Sequence, residues 1–328
     1  MVVSKMVFGG VDTKPVYLYK ITNKNQTSIN LLSYAAIWQN FEVVENGHRH
    51  SLIEHFDDLQ SYIKTPYLDG KTIGRVAGRI KDAKFTINKV DYQLQPNNGR
   101  NLMHSGDNGL QSQNFVGTID SDNSVVFSHT VKGEDGFNGN LQVKVRYSLS
   151  DEDEVSITYS AQSDQDTLFN PTCHVYFSFD DTPLKQMQLQ INAKRFLDID
   201  EEKIPTGKFL NTTNAYDFKN FKKLGQGLKQ LKPLDKFEYD DTFVVSKKAA
   251  TLKSNNRAID FYTDRNGLVI FTANTKDIAK AEAHDHSAIA MEMQTLPDAI
   301  NQADFGNIVL NAGQTVSYTN KYKYRQID

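Results

Sequence analysis

The chain has 328 residues, 39% of them hydrophobic, and its 37 Lys and Arg stand against 40 Asp and Glu for a net charge of −3. So balanced a charge offers no basic surface for a nucleic-acid backbone, and no acidic or basic tail stands out. The single cysteine, Cys173, excludes an intramolecular disulfide and zinc sites built from several thiolates.

The first residues, MVVSKMVFGGVDTK, have neither a long apolar core nor a small-residue cleavage site, so a signal peptide is not expected. No stretch reaches the roughly 18 consecutive apolar residues of a membrane helix. A cytoplasmic location is the expectation.

Short runs of alternating apolar and polar residues dominate the chain. In order they are 16–22, 27–34, 83–94, 141–150, 154–161, 188–193, 267–273 and 314–325. A period near 2 is what half-buried strands require. Turn signals separate them at Asn98-Gly99-Arg100, Gly133 to Gly136, Asn138-Gly139 and Asn266-Gly267. Helical signals are few: 55–67 gives a turn or two. The segment 218–231 carries two glycines and reads as irregular. With 8 prolines, no repeat and no Pro/Ser-rich linker, nothing marks a boundary. The expectation is one all-β domain over 1–328, a large antiparallel sandwich or barrel.

Four segments combine reactive side chains with turns or strand ends. Residues 72–85 carry Arg75 and Arg79 four apart among glycines, and alone read as surface arginines. Residues 96–115 form a long polar, glycine-rich stretch holding His104, and long loops in compact proteins often carry function. In 170–180, His174 interrupts an apolar, aromatic run. Alternation puts Tyr176 and Ser178 on its face and Cys173, Val175 and Phe177 on the other. A lone histidine there reads first as a hydrogen-bonded core residue. In 288–306, Glu292 and Gln294 alternate with Met291 and Met293. A carboxyl in so apolar a strand must be paired, protonated or functional.

The one compact histidine group, His284-Asp285-His286 beside Glu282, lies among alanines and charged residues, with no HExxH or facial-triad spacing. No metal site is expected. There is also no P-loop, no GxGxxG and no GxSxG elbow, which removes support for nucleotide cofactors and serine hydrolysis.

Taken together, the segments resemble the aldose 1-epimerase family. The residues that carry the resemblance are Arg79-Ile80, His104-Ser105-Gly106, Asn170 to Phe177, Asp240 to Phe243, and Glu292 to Asn301, in the family's order. The likeness runs from about residue 16 to the C-terminus. It implies a β-sandwich with the site in a cleft on one concave sheet face. It also implies Glu292 as general base, His174 as general acid, and Arg79, His104 and Asp240 as substrate-binding residues. Tyr176 and Gln294 join them by alternation. Four positions depart from the family pattern. Gly78 stands where asparagine is common, Ser105 where glycine is, Ser178 where asparagine is, and Asp241 where histidine is.

Mutarotation opens and recloses a cyclic hemiacetal. A proton leaves the C1 hydroxyl and another reaches the ring oxygen, which calls for a base and an acid on opposite sides of the acetal carbon. No cofactor or metal is required. Each positioned acid or base contributes about 10²–10⁴-fold. The expected partner is a monosaccharide or small sugar, with no nucleic acid or membrane, and the chain is expected to act as a monomer or homodimer. Three rivals stay open. One is an epimerase acting on maltose or on a hexose 6-phosphate, for which Lys71, Arg75, Lys81 and Arg100 would be the basic candidates. The others are a non-catalytic carbohydrate-binding protein and a structural β-domain.

Overall fold

The structure is a computed structural model and describes residues 1–327. Its frame is two antiparallel sheets packed face to face. The larger has nine strands, with Val116–Ser121 at one edge, the long C-terminal strand Thr315–Gln326 at its centre and Lys222–Lys223 at the other edge. The smaller has six. In spatial order these are Tyr176–Phe177, Ala288–Gln294, Gly267–Ala273, Asp240–Val244, Arg195–Ile199 and Pro205–Asn211. A five-stranded N-terminal meander, Val2 to Ser51, joins the six-stranded side through an antiparallel bridge from Ile53 to Phe177. No described helix is long and apolar enough to cross a membrane.

The inner faces meet through aromatic rings. Phe177 of the small sheet lies edge-on to Phe261 of the large one at 4.9 Å and beside Tyr322 at 5.7 Å. Trp38 of the meander closes the group at 5.0 Å from Tyr322. Leu268, Ile270, Met291 and Met293 from the small sheet belong to the same core as Val143, Val145, Ile157 and Ile259 from the large one. Burial of such side chains contributes roughly 1.5–3 kcal/mol each. The odd–even rule of the strands therefore sends every second residue of the small sheet inward and its neighbours outward.

The alternating runs fall on strands, with two departures from expectation. Residues 83–94 are not one strand but the hairpin Lys84–Ile87 and Val90–Gln93. Its turn is Asn88-Lys89, both with positive φ (51° and 66°), the conformation of a tight I′-type hairpin turn. A lysine at the second position hides that turn from a search for Asn-Gly.

The second departure is 218–231, expected to be irregular. Leu224–Leu231 is an α-helix whose buried residues Leu224, Gly227, Leu228 and Leu231 make one stripe. The glycines are contact points. A Cβ on Gly225 would meet the Lys185 carbonyl oxygen at 2.7 Å, and one on Gly227 would land on the Tyr239 hydroxyl. That hydroxyl is held by the Ala215 carbonyl at 2.8 Å, so it has little freedom to yield. Gly227→Ala sets a helix-propensity gain of at most about 1 kcal/mol against overpacking of about 1–3 kcal/mol. The expected outcome is a net loss of unfolding free energy by chemical denaturation. A stabilised variant would contradict this packing account.

Candidate active site

The outward face of the six-stranded sheet carries the site, and strand register builds it. Asp240 pairs with Phe271, and both Phe271 and Tyr176 pair with Ala290, which makes one row across the sheet. Two residues along, Thr242 pairs with Val269 and Val269 with Glu292, which makes a second row on the same face. Gln294 begins a third, opposite Gly267. These rows floor a cavity of about 230 Å³. The loops bring Gly78 and Arg79, Met103 and His104, Lys203, Tyr67 and Pro297 to its walls. All seven residues singled out in the sequence, Arg79, His104, His174, Tyr176, Asp240, Glu292 and Gln294, line this one cavity.

Glu292 and His174 sit side by side, with Nε2 of the imidazole 3.5 Å from Oε1 of the carboxyl. Both are buried, at 3% and 6% exposure. Burial pushes the Glu292 carboxyl up to about 8. The Asp240 charge adds to that push and Arg79 opposes it. Burial drives the His174 imidazole down to about 4, against the pull of Asp240. The pair thus holds one proton near neutrality, on the carboxyl.

Their supporting segments are tied together by Arg265. This buried guanidinium donates to the carbonyls of Pro171 and Met293, both at 2.5 Å, and to Asn170 Oδ1 at 3.3 Å. Asn170 in turn accepts from Thr295 N at 2.9 Å and donates to Thr295 O at 3.0 Å. The chain leading into His174 and the strand bearing Glu292 are therefore held as one unit. Asp298 does the same for Arg79. Its backbone N–H donates to the Arg79 carbonyl at 3.1 Å, and its carboxylate accepts from Lys81 N at 3.1 Å. The Asn170 and Pro-Asp-x-x-Asn motifs act here as scaffolding.

His104 sits in a run of left-handed backbone, with φ of 52° at His104, 62° at Ser105 and 73° at Gly106. The Ser105 hydroxyl holds this shape by donating to Val76 O at 3.0 Å and accepting from Val76 N at 2.7 Å. His104 Nδ1 accepts from the Gly78 N–H at 3.2 Å, so the ring proton lies on Nε2. Burial, with His174 and Arg79 nearby, holds this imidazole well below its ordinary range, hence neutral. Arg79 is steadied by Asn98 Oδ1 at 3.1 Å.

Gln294 is fully buried, and both ends of its amide lack a hydrogen-bond partner. An unpaired buried polar group costs about 1–3 kcal/mol, so this amide is a ready donor and acceptor for a ligand. Tyr67, Tyr176 and Phe271 form an aromatic wall, with Tyr67 stacked on Phe271 at 6.4 Å and edge-on to Tyr176 at 6.3 Å.

Lys203 is a residue that the sequence did not point to. Its ammonium lies 2.5 Å from Asp240 Oδ2, inside the cavity lining. It comes from a turn closed by Lys203 N to Asp200 O, and no motif surrounds it. Tyr67 and Phe271 were also missed. Phe271 could have been found by pairing 267–273 with 288–294, since register then puts it on the Glu292 face. The four basic residues considered for phosphate lie elsewhere. Arg75 is buried in an ion pair with Asp135 at 2.7 Å, and Lys71 is buried 5.5 Å above the Tyr34 ring. Arg100 pairs with Glu202 and Asp82, and Lys81 is not among the lining residues.

A family profile described as aldose 1-epimerase matches residues 17–323. The chain belongs to the aldose 1-epimerase family. It is 40% identical to a maltose epimerase of Levilactobacillus brevis, over 99% of each chain. It is 30% identical to a galactose mutarotase of Bos taurus, over 98% of each. A crystal structure of a galactose 1-epimerase from Lactobacillus acidophilus matches with a TM-score of 0.87 at 25% identity, over 99% of each chain. The epimerase is thus an isomerase on a β-sandwich of the galactose mutarotase type. Of its four departures from the family pattern, only Gly78 lines the cavity. Asp241 points to the other side, where its carboxyl lies 3.4 Å from Lys236 Nζ.

Proposed function

We propose that the epimerase interconverts the α and β anomers of a hexose, with Glu292 as general base and His174 as general acid. The observation that carries this reading is the contact between a buried carboxyl and a buried imidazole in a small cavity that combines several polar side chains with an aromatic wall. The two groups stand 3.5 Å apart rather than on opposite sides of the acetal carbon, and the two sugar oxygens that exchange protons hang from that same carbon, so neighbouring groups reach both. Glu292 takes the proton from the C1 hydroxyl while His174 delivers one to the ring oxygen. The ring opens to the aldehyde, C1 turns about the C1–C2 bond, and reclosure on the other face returns both protons.

The remaining residues bind and orient. Arg79, Lys203 and the Nε2–H of His104 donate to sugar oxygens, Asp240 accepts from hydroxyls, and the Gln294 amide does both. The bonds from Arg79, Lys203 and Asp240 are charge-assisted, and such bonds are about twice as strong as neutral ones. The aromatic wall meets a C–H face of the ring. A cavity of about 230 Å³ lies below the roughly 300–1,000 Å³ of drug-sized sites, which suits one sugar ring.

Glu292→Gln and His174→Ala are each expected to slow anomer interconversion at least about 100-fold with the fold intact. Polarimetry or NMR exchange measures this against the buffer-only rate. A variant near the wild-type rate sinks the assignment. A wild-type protein that binds sugar but leaves the buffer rate unchanged sinks the catalytic reading itself.

The pH dependence follows from the pair's proton count. The carboxylate–imidazolium state that reacts holds one proton, the same number as the resting pair, and differs only in which group carries it. Below about 4 the imidazole takes a second proton and the base stays blocked. Above about 8 the carboxyl gives up the only proton and no acid remains. The profile of kcat/KM is expected to rise through about 4 and fall through about 8, both values belonging to the pair. A rate still climbing well above pH 8 contradicts the one-proton pair.

Gly78 supports a second reading, in which the substrate carries a further ring. It has φ of 77°, and a Cβ there would lie 3.1 Å from Pro297 and 3.3 Å from the Gln294 amide nitrogen. A side chain here would be strained and pressed against Pro297 and the Gln294 amide, so with glycine this wall of the cavity lacks the amide that an asparagine would bring. The relative from Levilactobacillus brevis is named for maltose. Rates on galactose, glucose, maltose and glucose 6-phosphate discriminate. We expect free hexoses to be converted and glucose 6-phosphate to be the poorest. A kcat/KM higher on maltose than on glucose selects the second reading, and a preference for the phosphate overturns both.

A further inference from the structure

Outside the sugar cavity, the fold assembles a group that the chain does not announce. The sequence set Glu282 beside His284-Asp285-His286. The structure instead brings Glu238, at the end of the loop entering the strand Asp240–Val244, to His284 and His286. One potential ligand atom from each of Glu238, His284 and His286 lies within 4.8 Å of the others. None of the three lines the sugar cavity.

The state of His286 makes this more than a chance cluster. Its Nε2 lies 3.1 Å from the Phe237 carbonyl. A carbonyl only accepts, so Nε2 carries the ring proton and Nδ1 keeps its lone pair. That Nδ1 is buried and has no partner, in a residue only 6% exposed. A histidine that donates one N–H to a backbone carbonyl and presents the other nitrogen is how metal-ligating histidines are commonly held. The second imidazole is steadied as well, because His284 stacks on the Phe237 ring at 4.6 Å with 12° between planes. Glu238 has only a loose competitor. Lys203 Nζ is 3.8 Å from it and is engaged by Asp240 at 2.5 Å.

We propose that Glu238, His284 and His286 form a binding site for a divalent transition-metal cation, with zinc as the best fit. Two imidazoles and one carboxylate are a donor set that zinc takes, with a position left for water. Imidazole donors argue against calcium and magnesium, which prefer oxygen ligands. The other candidate group, His50 with Asp180 and Asp181, is unsuited because Arg257 already lies 3.1 Å from both aspartates.

The test is calorimetric titration of tag-free, chelator-stripped full-length protein with zinc chloride, with cobalt(II) absorption as a second probe. One equivalent is expected to bind. Glu238→Gln, His284→Ala and His286→Ala are each expected to weaken binding at least about tenfold. His284 is exposed, so His284→Ala keeps the test valid should His286→Ala fail to fold. It is also expected to leave the epimerase rate without zinc within about twofold, since it contacts no sugar. No saturable binding overturns the proposal. So does stoichiometric binding that survives in His284→Ala, or that is lost in His50→Ala instead.

Discussion

The withdrawal of the Glu292 carboxyl from water is the constraint on which the arrangement around the cavity depends. A carboxyl placed at 3% exposure on an apolar strand can stay ionised only at a cost, and it responds by holding its proton to about 8. His174, buried against it, sheds its own proton until about 4. The usual order, with the carboxyl titrating below the imidazole, has been reversed, and the two now lie on opposite sides of neutrality. The site is thereby poised with one mobile proton between an acid and a base 3.5 Å apart. The nearby charges, Asp240 and Arg79, push Glu292 in opposite directions, so the way a sugar engages each bears on which group keeps the proton.

Holding that geometry falls to residues that do not line the cavity. Arg265 is buried among carbonyls of the two segments that bear Glu292 and His174. Its hydrogen bonds join Pro171 and Asn170 to Met293, whose carbonyl also accepts from Asn320 and Thr172, so no acceptor is left bare at this junction. Asn170 and Asp298 extend the same bracing to Thr295 and to Arg79. Arg79 and the junction of Asn170 with Thr295 have thus been set on a lattice of backbone contacts, whereas the Gln294 amide has been left without partners.

Much of this was legible in the sequence. Alternation alone separated Glu292 and Gln294 from Met291 and Met293, and His174 and Tyr176 from Cys173, Val175 and Phe177, because a pleated strand has no other way to distribute them. The structure puts the first of each set at the cavity and the second in the core. The illegible parts depend on partners distant in the chain. Lys203 reaches Asp240 from a turn with no signature. Glu238 meets His284 and His286 through tertiary packing. The helix Leu224–Leu231 was obscured because its glycines look like breakers until Tyr239 and Lys185 are seen against them. Asn170 and Asp298 carried motif signal, yet the sequence could not tell bracing from binding.

The two-residue rhythm of the strand Ala288–Gln294 has a bearing on how this scaffold can change. Every residue of that strand is buried, one face against the sugar cavity and the other inside the sandwich. A single inserted or deleted residue would turn the strand inside out, delivering methionine to the substrate and a carboxyl to the core. Its length is therefore frozen by geometry, independently of which side chains it bears. Diversification towards other sugars is channelled into the rim, at the turn that follows His104 and at the turn of Lys203, where added or lost residues disturb no pleat.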